Sequence, residues 1–515
     1  MTFLPGVSTS VELRRRKISL TSSGSTVYPG GNSKISLLEF TEIMSPVDVA
    51  RFTKRSFTTH PIIYLLVAVI VLLGAYFFLP RFERKAPHIK IAPESDAIGL
   101  GPIEIDVTEH GTGLRSISVI LSSGGTEHHL AAEQYDQPVL HKKLNISLSS
   151  KLTGLREGPA VFRVNARDRS LSNFFRGNET TIQKNVTIDI TPPTVELIAD
   201  DPYISFGGSG LIVYKPSPDT ATSGVKIGKY FFPGYKAHSK DPAAYLAFFA
   251  HPYDVPEQEK AVLVATDRAG NSKQITLAYT LKDVRYRKST IPITDEFIQA
   301  KVAPLINDVG ERQAGPKEIF TKVNRDLRKE NEEKIKTVSQ KTAGSMLWSG
   351  PFSQLSNSKV EANFADARTY IYQGEVIDHA YHLGFDLSVT KRYPVEAANS
   401  GIVTFVGDLG IYGNTVIIDH GLGLSTLYAH LSSIDVKIGD SIEQRQVIGK
   451  TGETGLAVGD HLHFTTILHG VPVLPLEWWD KKWINDNIQA KLDPSNAQNK
   501  SENGRPAKPR HRARR

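Results

Sequence analysis

The polarity pattern along the chain changes character several times. Residues 1–60 are largely polar and rich in Ser, Gly and Thr, the composition of a disordered segment. Pro61 to Leu79 is then apolar without a single charge, long enough to cross a bilayer as one helix. Tyr64 and the Tyr76-Phe77-Phe78 cluster stand near its ends, where aromatic rings favour the membrane interface. Beyond it, from about Pro87 to Lys282, short β-branched runs alternate with Gly, Pro, Asn and Asp turns. Ile103-Glu104-Ile105-Asp106-Val107, Val186-Thr187-Ile188-Asp189-Ile190 and Ala261-Val262-Leu263-Val264 are examples. Period-two alternation in runs this short predicts antiparallel sandwiches.

Apolar positions switch to helical spacing at Ile298, Val302, Leu305, Ile306 and Val309, despite Pro304. Pro316 can open a second helix carrying Ile319, Phe320, Val323 and Leu327 on one face. Arg325–Lys336 is densely and alternately charged, the mark of a solvated helix. This segment reads as a connector packed on the last domain, or as a lid over a site there. Between Leu347 and Trp479 short strands return, at Val395–Ala398, Ile402–Val406, Thr415–Asp419, Ser425–Ala429 and His461–Ile467.

The predicted organisation is therefore mainly β. A disordered segment (1–60) and a transmembrane helix (61–79) precede two Ig-like β modules (87–192 and 193–283). A helical connector (294–340), an antiparallel β domain (345–480) and a basic disordered tail (481–515) follow. The two modules share a faint repeat. Val164-Asn165-Ala166-Arg167-Asp168-Arg169, with Asn173 following, resembles Val264-Ala265-Thr266-Asp267-Arg268-Ala269-Gly270-Asn271. Thr191-Pro192-Pro193-Thr194 is a stiff junction between them. Adjacent His128 and His129 read as surface residues. Met44 is an alternative start.

Composition narrows the chemistry. The 515-residue chain has no cysteine, so a metal must be held by His, Asp or Glu. The net charge of +7 lies entirely in residues 481–515, with ten Lys/Arg against three Asp/Glu. The remainder is neutral, and a basic nucleic-acid-binding body is not supported. Lys and Arg flank the apolar run on both sides in similar number, which leaves its orientation to the substrate. The run is long, lies some sixty residues into the chain and is followed by Pro80-Arg81-Phe82-Glu83-Arg84-Lys85, features of an uncleaved anchor rather than a signal peptide.

Four local phrases in the last third carry candidate chemistry. Tyr381-His382-Leu383-Gly384-Phe385-Asp386 offers a His and an Asp four apart. Gly413-Asn414-Thr415-Val416-Ile417-Ile418-Asp419-His420-Gly421 is a turn into a buried strand. Leu427-Tyr428-Ala429-His430-Leu431 puts a His at a strand end. Gly459-Asp460-His461-Leu462-His463-Phe464 places two imidazoles on one face of a strand. The run Gly449–Gly455 before it can bring backbone close to a ligand. Three protein ligands and an open position suit catalytic zinc, and His382, Asp386 and one of His461 and His463 supply that set. The other histidine of the pair and His430 would then stand beside the metal, placed for proton transfer or oxyanion stabilisation. His379, His420 and His469 read as structural.

Together these phrases resemble the LytM/lysostaphin-type zinc metallopeptidases, which cut peptide bonds in bacterial peptidoglycan. The family's His-x-x-x-Asp is His382/Asp386, its Gly-Asn-x-Val-x-Ile-x-His-Gly strand is Gly413–Gly421, its Tyr-x-His-Leu is Tyr428–Leu431 and its Gly-x-His-Leu-His-Phe is Gly459–Phe464. The resemblance covers about residues 345–476. It implies one Zn2+ on His382, Asp386 and His463, with His430 and His461 as the catalytic pair. With the apolar run 61–79 as the anchor, it also implies a membrane-bound hydrolase acting on peptidoglycan peptides, with residues 1–60 in the cytoplasm and the catalytic domain on the outer face of a bacterial cytoplasmic membrane. The β modules would serve as spacers or bind wall-associated proteins. Asn363-Phe364-Ala365-Asp366-Ala367-Arg368 departs from the family's Phe-Gly-x-Arg entry phrase. The alternative is a non-catalytic scaffold or activator of a cell-wall amidase that uses the same groove, a role that loss of a metal ligand would favour, and here all five positions are filled.

Overall fold

The computed structural model describes residues 61–148, 155–237 and 241–492. The expectations for residues 1–60, for the alternative start at Met44 and for the tail beyond Leu492 lie outside these. Pro61–Phe78 is one continuous helix of mean hydropathy 2.5, long and apolar enough to cross a membrane, a property that anchors and signal sequences share.

The remaining described chain is mainly β. Its first part pairs a three-stranded sheet, built on Ile103–Thr108, with a five-stranded sheet centred on Gly158–Asp168. Strict in/out alternation, as in Ile103, Ile105 and Val107, buries one face of each sheet in a common core with Phe162, Val164 and Ile117. The same alternation separates the paired histidines. His128 is buried and His129 exposed, which corrects the surface expectation for His128.

Two four-stranded sheets follow between Val195 and Thr276. The repeated phrase has one job in both places. Asp267 Oδ1 and Oδ2 accept from the Asn271 amide (2.9 Å) and from Asn271 Nδ2 (2.8 Å). Asn271 then reaches across the junction, donating to Asp189 O (2.9 Å) and accepting from Leu100 N (2.6 Å). In the first copy Asp168 accepts from the amide of Asn178 (2.7 Å) and from its Nδ2 (2.8 Å), and Asn178 reaches back to Glu83 O (2.9 Å). The partner is Asn178 rather than Asn173, because the turn in the first copy is longer. Each Asp–Asn pair fastens its β unit to the chain that precedes it.

The connector is helical as expected. Thr294 caps its first turn by accepting from Phe297 N (3.2 Å). Helical turns run from Asp295 to Leu305, and Pro304 falls in the closing 3-10 turn, where its missing N–H is harmless. Val309 lies beyond this turn and is exposed. A second helical stretch runs from Pro316 to Ser339, its start capped by Glu318 accepting from Gly315 N (2.7 Å). Before the connector, Lys288–Ile293 forms a strand parallel to Asp366–Tyr372, a pairing too remote in sequence to anticipate.

The C-terminal region is built on a sheet whose central strands, Leu424–Ala429 and Leu462–Leu468, are buried on both faces. On one face Tyr428, Leu462, Phe464 and Leu468 share a core with the second β unit and with Trp478. On the other, Leu427, Ala429 and Ile467 pack with Ile298, Ile319, Phe320 and Ile335 of the connector.

The tail does not begin at residue 481. Lys481–Leu492 is helical, with Ile484 and Ile488 fully buried. Their i, i+4 spacing was obscured by the surrounding basic residues, one of which, Lys491, pairs with buried Asp201. Glu477 sits at the same junction and accepts from Ser209 N (2.7 Å) of the second β unit. Burial pushes its carboxyl up to about 7 from an ordinary 4.5. A carboxyl raised in the folded state stabilises most at low pH, and that contribution is lost as pH rises from about 4.5 through 7. Glu477→Gln should remove up to about 3 kcal/mol of this dependence, read as a flatter Tm between pH 5 and pH 8.

Candidate active site

The site forms where strand register brings distant residues opposite one another. Phe385–Ser388 pairs antiparallel with Leu462–Leu468 so that Asp386 faces His463 directly, and Ala429, next to His430, faces His463 from the other side. His382 ends the strand Glu375–His382, one turn before Asp386. The outcome is a triangle of ligand atoms. His382 Nε2 lies 2.9 Å from Asp386 Oδ1 and 3.0 Å from His463 Nδ1, and His463 Nδ1 lies 3.0 Å from Asp386 Oδ1. All three side chains are buried or nearly so.

Hydrogen bonds behind the triangle decide which atoms face inward. His382 Nδ1 lies 2.9 Å from the Asn363 carbonyl, which only accepts, so this nitrogen carries the proton and Nε2 is bare. The Thr465 hydroxyl donates its one hydrogen to Leu383 O (2.9 Å) and therefore accepts from His463 Nε2 (3.1 Å), leaving Nδ1 bare. Two imidazole lone pairs and a carboxylate oxygen thus converge within 3.0 Å of one another. Such an arrangement repels itself unless a cation stands among the three. The donor set fits a divalent ion of the zinc class.

Thr465→Val removes the acceptor for His463 Nε2. Zinc affinity should fall about 10–100-fold, measured by chelator competition, with the fold retained.

His430 and His461 stand beside the triangle with ring centroids 4.9 Å apart. Each has its Nδ1 on a backbone carbonyl, Thr454 O at 2.8 Å and Gly459 O at 2.7 Å, so each turns Nε2 away from that carbonyl. His461 Nε2 lies 3.4 Å from Asp386 Oδ1. His430 adopts a left-handed backbone (φ 62°), unusual for a residue with a Cβ, and its amide is fixed by Tyr412 O (2.9 Å). Burial, aided by His461 and His463, pushes the His430 imidazole down to about 3. Burial likewise takes His463 to about 4, both imidazoles being neutral at neutral pH. For His461 burial acts downward, but the Asp386 carboxylate outweighs it and raises the ring. Asp386 is held well below the usual carboxylate range, its burial overcome by the three histidines.

The structure brings all five predicted residues together and sets the other histidines apart. His420 is buried between Ser400 O and Thr426 Oγ1, both at 2.7 Å. His469 stacks on Tyr235, and His379 is exposed beside Thr369. The Gly-rich run meets the chain itself rather than lining a ligand site. A Cβ on Gly455 would lie 2.4 Å from Gly413 N, and this contact seats the loop that carries Thr454 O to His430.

Two features were missed. Arg368 stands in the divergent entry phrase, its Nη2 3.5 Å from Asp386 Oδ2. Asn363 in the same phrase supplies the carbonyl for His382, so the departure leaves the site supported. The cleft above the histidines, of about 430 Å³, also has a wall from residues that precede residue 345. Ile291 and Ile293 of the strand before the connector and Phe297, Phe320 and Arg328 of the connector line it, so the connector both packs on this region and borders the site.

The family model for peptidase family M23 matches residues 380–475, the stretch that holds all five residues. Residues 380–475 are an M23 peptidase domain. Over 95 residues it is 42% identical to the DD-carboxypeptidase/endopeptidase Mpg of Neisseria meningitidis serogroup B, covering 18% of this chain and 22% of that protein. Over 115 residues it is 36% identical to the peptidoglycan DD-endopeptidase ShyA of Vibrio cholerae, covering 22% and 26%. The chain thus spans about a quarter of the length of these curated relatives. Among solved structures, the catalytic domain of the antimicrobial peptidase lysostaphin from Staphylococcus simulans is 27% identical. That match covers 24% of this chain and 92% of the lysostaphin domain, with a TM-score of 0.21. The M23 domain of this chain can hold a metal ion on His382, Asp386 and His463.

Proposed function

We propose that this protein is a membrane-anchored zinc endopeptidase that hydrolyses peptide bonds in peptidoglycan stems or cross-links. The converging bare ligand atoms of His382, Asp386 and His463, flanked by a second pair of oriented imidazoles, carry the reading. Zinc bound there would supply Lewis-acid activation of the scissile carbonyl and of water. His430, with Nδ1–H given to Thr454 O, offers a bare Nε2 to take a proton from the attacking water. That proton passes to the amide nitrogen as the C–N bond breaks, leaving a carboxylate and a free amine. His461 faces the charge that develops on the carbonyl oxygen. Arg368 steadies the outer oxygen of Asp386.

Ile291, Ile293, Phe297 and Phe320 on the cleft wall offer apolar contact to the side chains of a bound peptide. Peptidoglycan lies outside the cytoplasmic membrane, so Pro61–Phe78 would anchor the chain with everything C-terminal to it on the outer face. The two M23 relatives, both named as endopeptidases, support the reaction class. Incubating the zinc-loaded protein with purified cross-linked muropeptide dimers tests this reading. Conversion to products with one new amine and one new carboxylate, abolished by chelator, supports it. Intact dimers in the presence of zinc argue against it.

A further inference from the structure

A second group of metal-binding character lies far from the histidines in sequence, at the foot of the first β unit. Glu83, Glu109 and Asp168 each offer a carboxylate oxygen, and these oxygens lie within 4.8 Å of one another. Asp168 is fully buried and Glu109 is 2% exposed. None of the three forms a salt bridge among the described residues: Lys143 pairs with Glu104, and the neighbouring Arg169 is taken by Tyr135 O. Three buried or half-buried acids without a cationic partner are costly unless a proton or a cation is shared among them.

Two buried oxygen atoms, one in this group and one in the turn beside it, lack any hydrogen-bond partner. Glu109 Oε1 accepts from Gly111 N (2.8 Å), but Glu109 Oε2 has none. The Thr112 hydroxyl is also buried without a partner, while its amide donates to Glu83 Oε2 (2.7 Å). Asp168 Oδ1 accepts from Ser170 N and Asn178 N, while Oδ2 accepts only from Asn178 Nδ2 and retains a lone pair.

We propose that Glu83, Glu109 and Asp168, with the Thr112 hydroxyl, form a calcium site that fastens the segment after the apolar helix to the first β unit. The donors are all hard oxygens, with no imidazole or thiolate, which selects calcium or magnesium over zinc. Calcium is favoured because it accepts irregular carboxylate and hydroxyl sets, whereas magnesium demands a near-octahedral shell.

Placement gives the site its role. Glu83 lies five residues beyond the helix end at Phe78. The Asn178 side chain already holds Glu83 O (2.9 Å) and Lys85 O (3.3 Å) against Asp168. The corresponding clamp in the second β unit joins Asp267 to Asn271, and among the described residues Asp267 belongs to no group of three metal-ligating side chains. The first clamp thus carries an added cation requirement where the chain enters the first β unit. In calcium-poor surroundings the joint loosens, and in calcium-rich surroundings it stiffens.

The test uses the full chain in detergent, zinc-loaded to occupy the histidine site, then titrated with calcium chloride or magnesium chloride alone. The expected result is saturable binding of a single calcium ion. Trypsin cleavage after Arg84 and Lys85, both exposed, should slow on calcium addition. In Glu109→Gln, calcium affinity should fall by more than about tenfold, the least expected of losing a direct ligand, and the protection should vanish. Glu83→Gln, at the half-buried rim, should show the same loss and carries the test if Glu109→Gln fails to fold. No saturable calcium binding, or binding and protection unchanged in both variants, would overturn the proposal and leave the carboxyls sharing a proton.

Discussion

His463→Ala is expected to abolish peptide-bond cleavage, by about a thousandfold or more, beyond the 10–100-fold typical of losing an outer-shell partner. His463 Nδ1 is one of three atoms that converge within 3.0 Å, and its other nitrogen is committed to Thr465. Alanine leaves His382 and Asp386, too few to hold a catalytic zinc. The loss should therefore appear in metal content as well as in rate. Inductively coupled plasma analysis should find one zinc per wild-type chain and almost none in the variant. Because His463 is buried in the sheet, a thermal melt is needed beside it. A variant that folds, binds a full equivalent of zinc and still cuts would remove His463 from the ligand set.

His430→Ala should separate metal binding from chemistry. His430 contributes none of the three converging ligand atoms, its ring centroid standing 5.7 Å from that of His463 and 4.9 Å from that of His461. Its loss should leave zinc content intact and lower kcat by about 10²–10⁴-fold, the range for a positioned proton carrier. KM should change little, because the proton is transferred only as the bond is attacked. Alanine also relaxes nothing at φ 62°, where a Cβ remains, so a stability gain is not expected to complicate the comparison. A variant retaining wild-type kcat would assign the proton to His461 alone.

The site was legible because its chemistry is carried by short phrases on rigid strands. His461 and His463 share a face by period two, and the strand end at His430 was marked by the apolar run before it. What sequence spacing left open, the choice between His461 and His463 as ligand, depends on cross-strand register. Asp386 opposes His463 in the sheet, and no local pattern encodes that pairing. The supporting atoms were hidden for the same reason. Asn363 acts through its carbonyl, Thr465 resembles any β-branched strand residue, and Arg368 reaches Asp386 only after two strands pair.

Fold was legible to a similar depth. Alternation revealed the β units and 3.6-residue spacing the connector, since both patterns are local. The shared core that joins the second β unit to Trp478 was not, because buried residues do not name their partners. Charge misled at the C-terminus, where Ile484 and Ile488 anchor a helix inside a basic stretch.

The most direct measurement is mass spectrometry of products released from purified sacculi by the full chain in detergent, with zinc, with chelator and with His463→Ala. The account predicts zinc-dependent fragments cut within the peptides, absent from the chelated and variant samples. Intact peptides throughout, with glycan–peptide amide cleavage appearing only when a wall amidase is added, would contradict it and identify an activator that uses the same cleft.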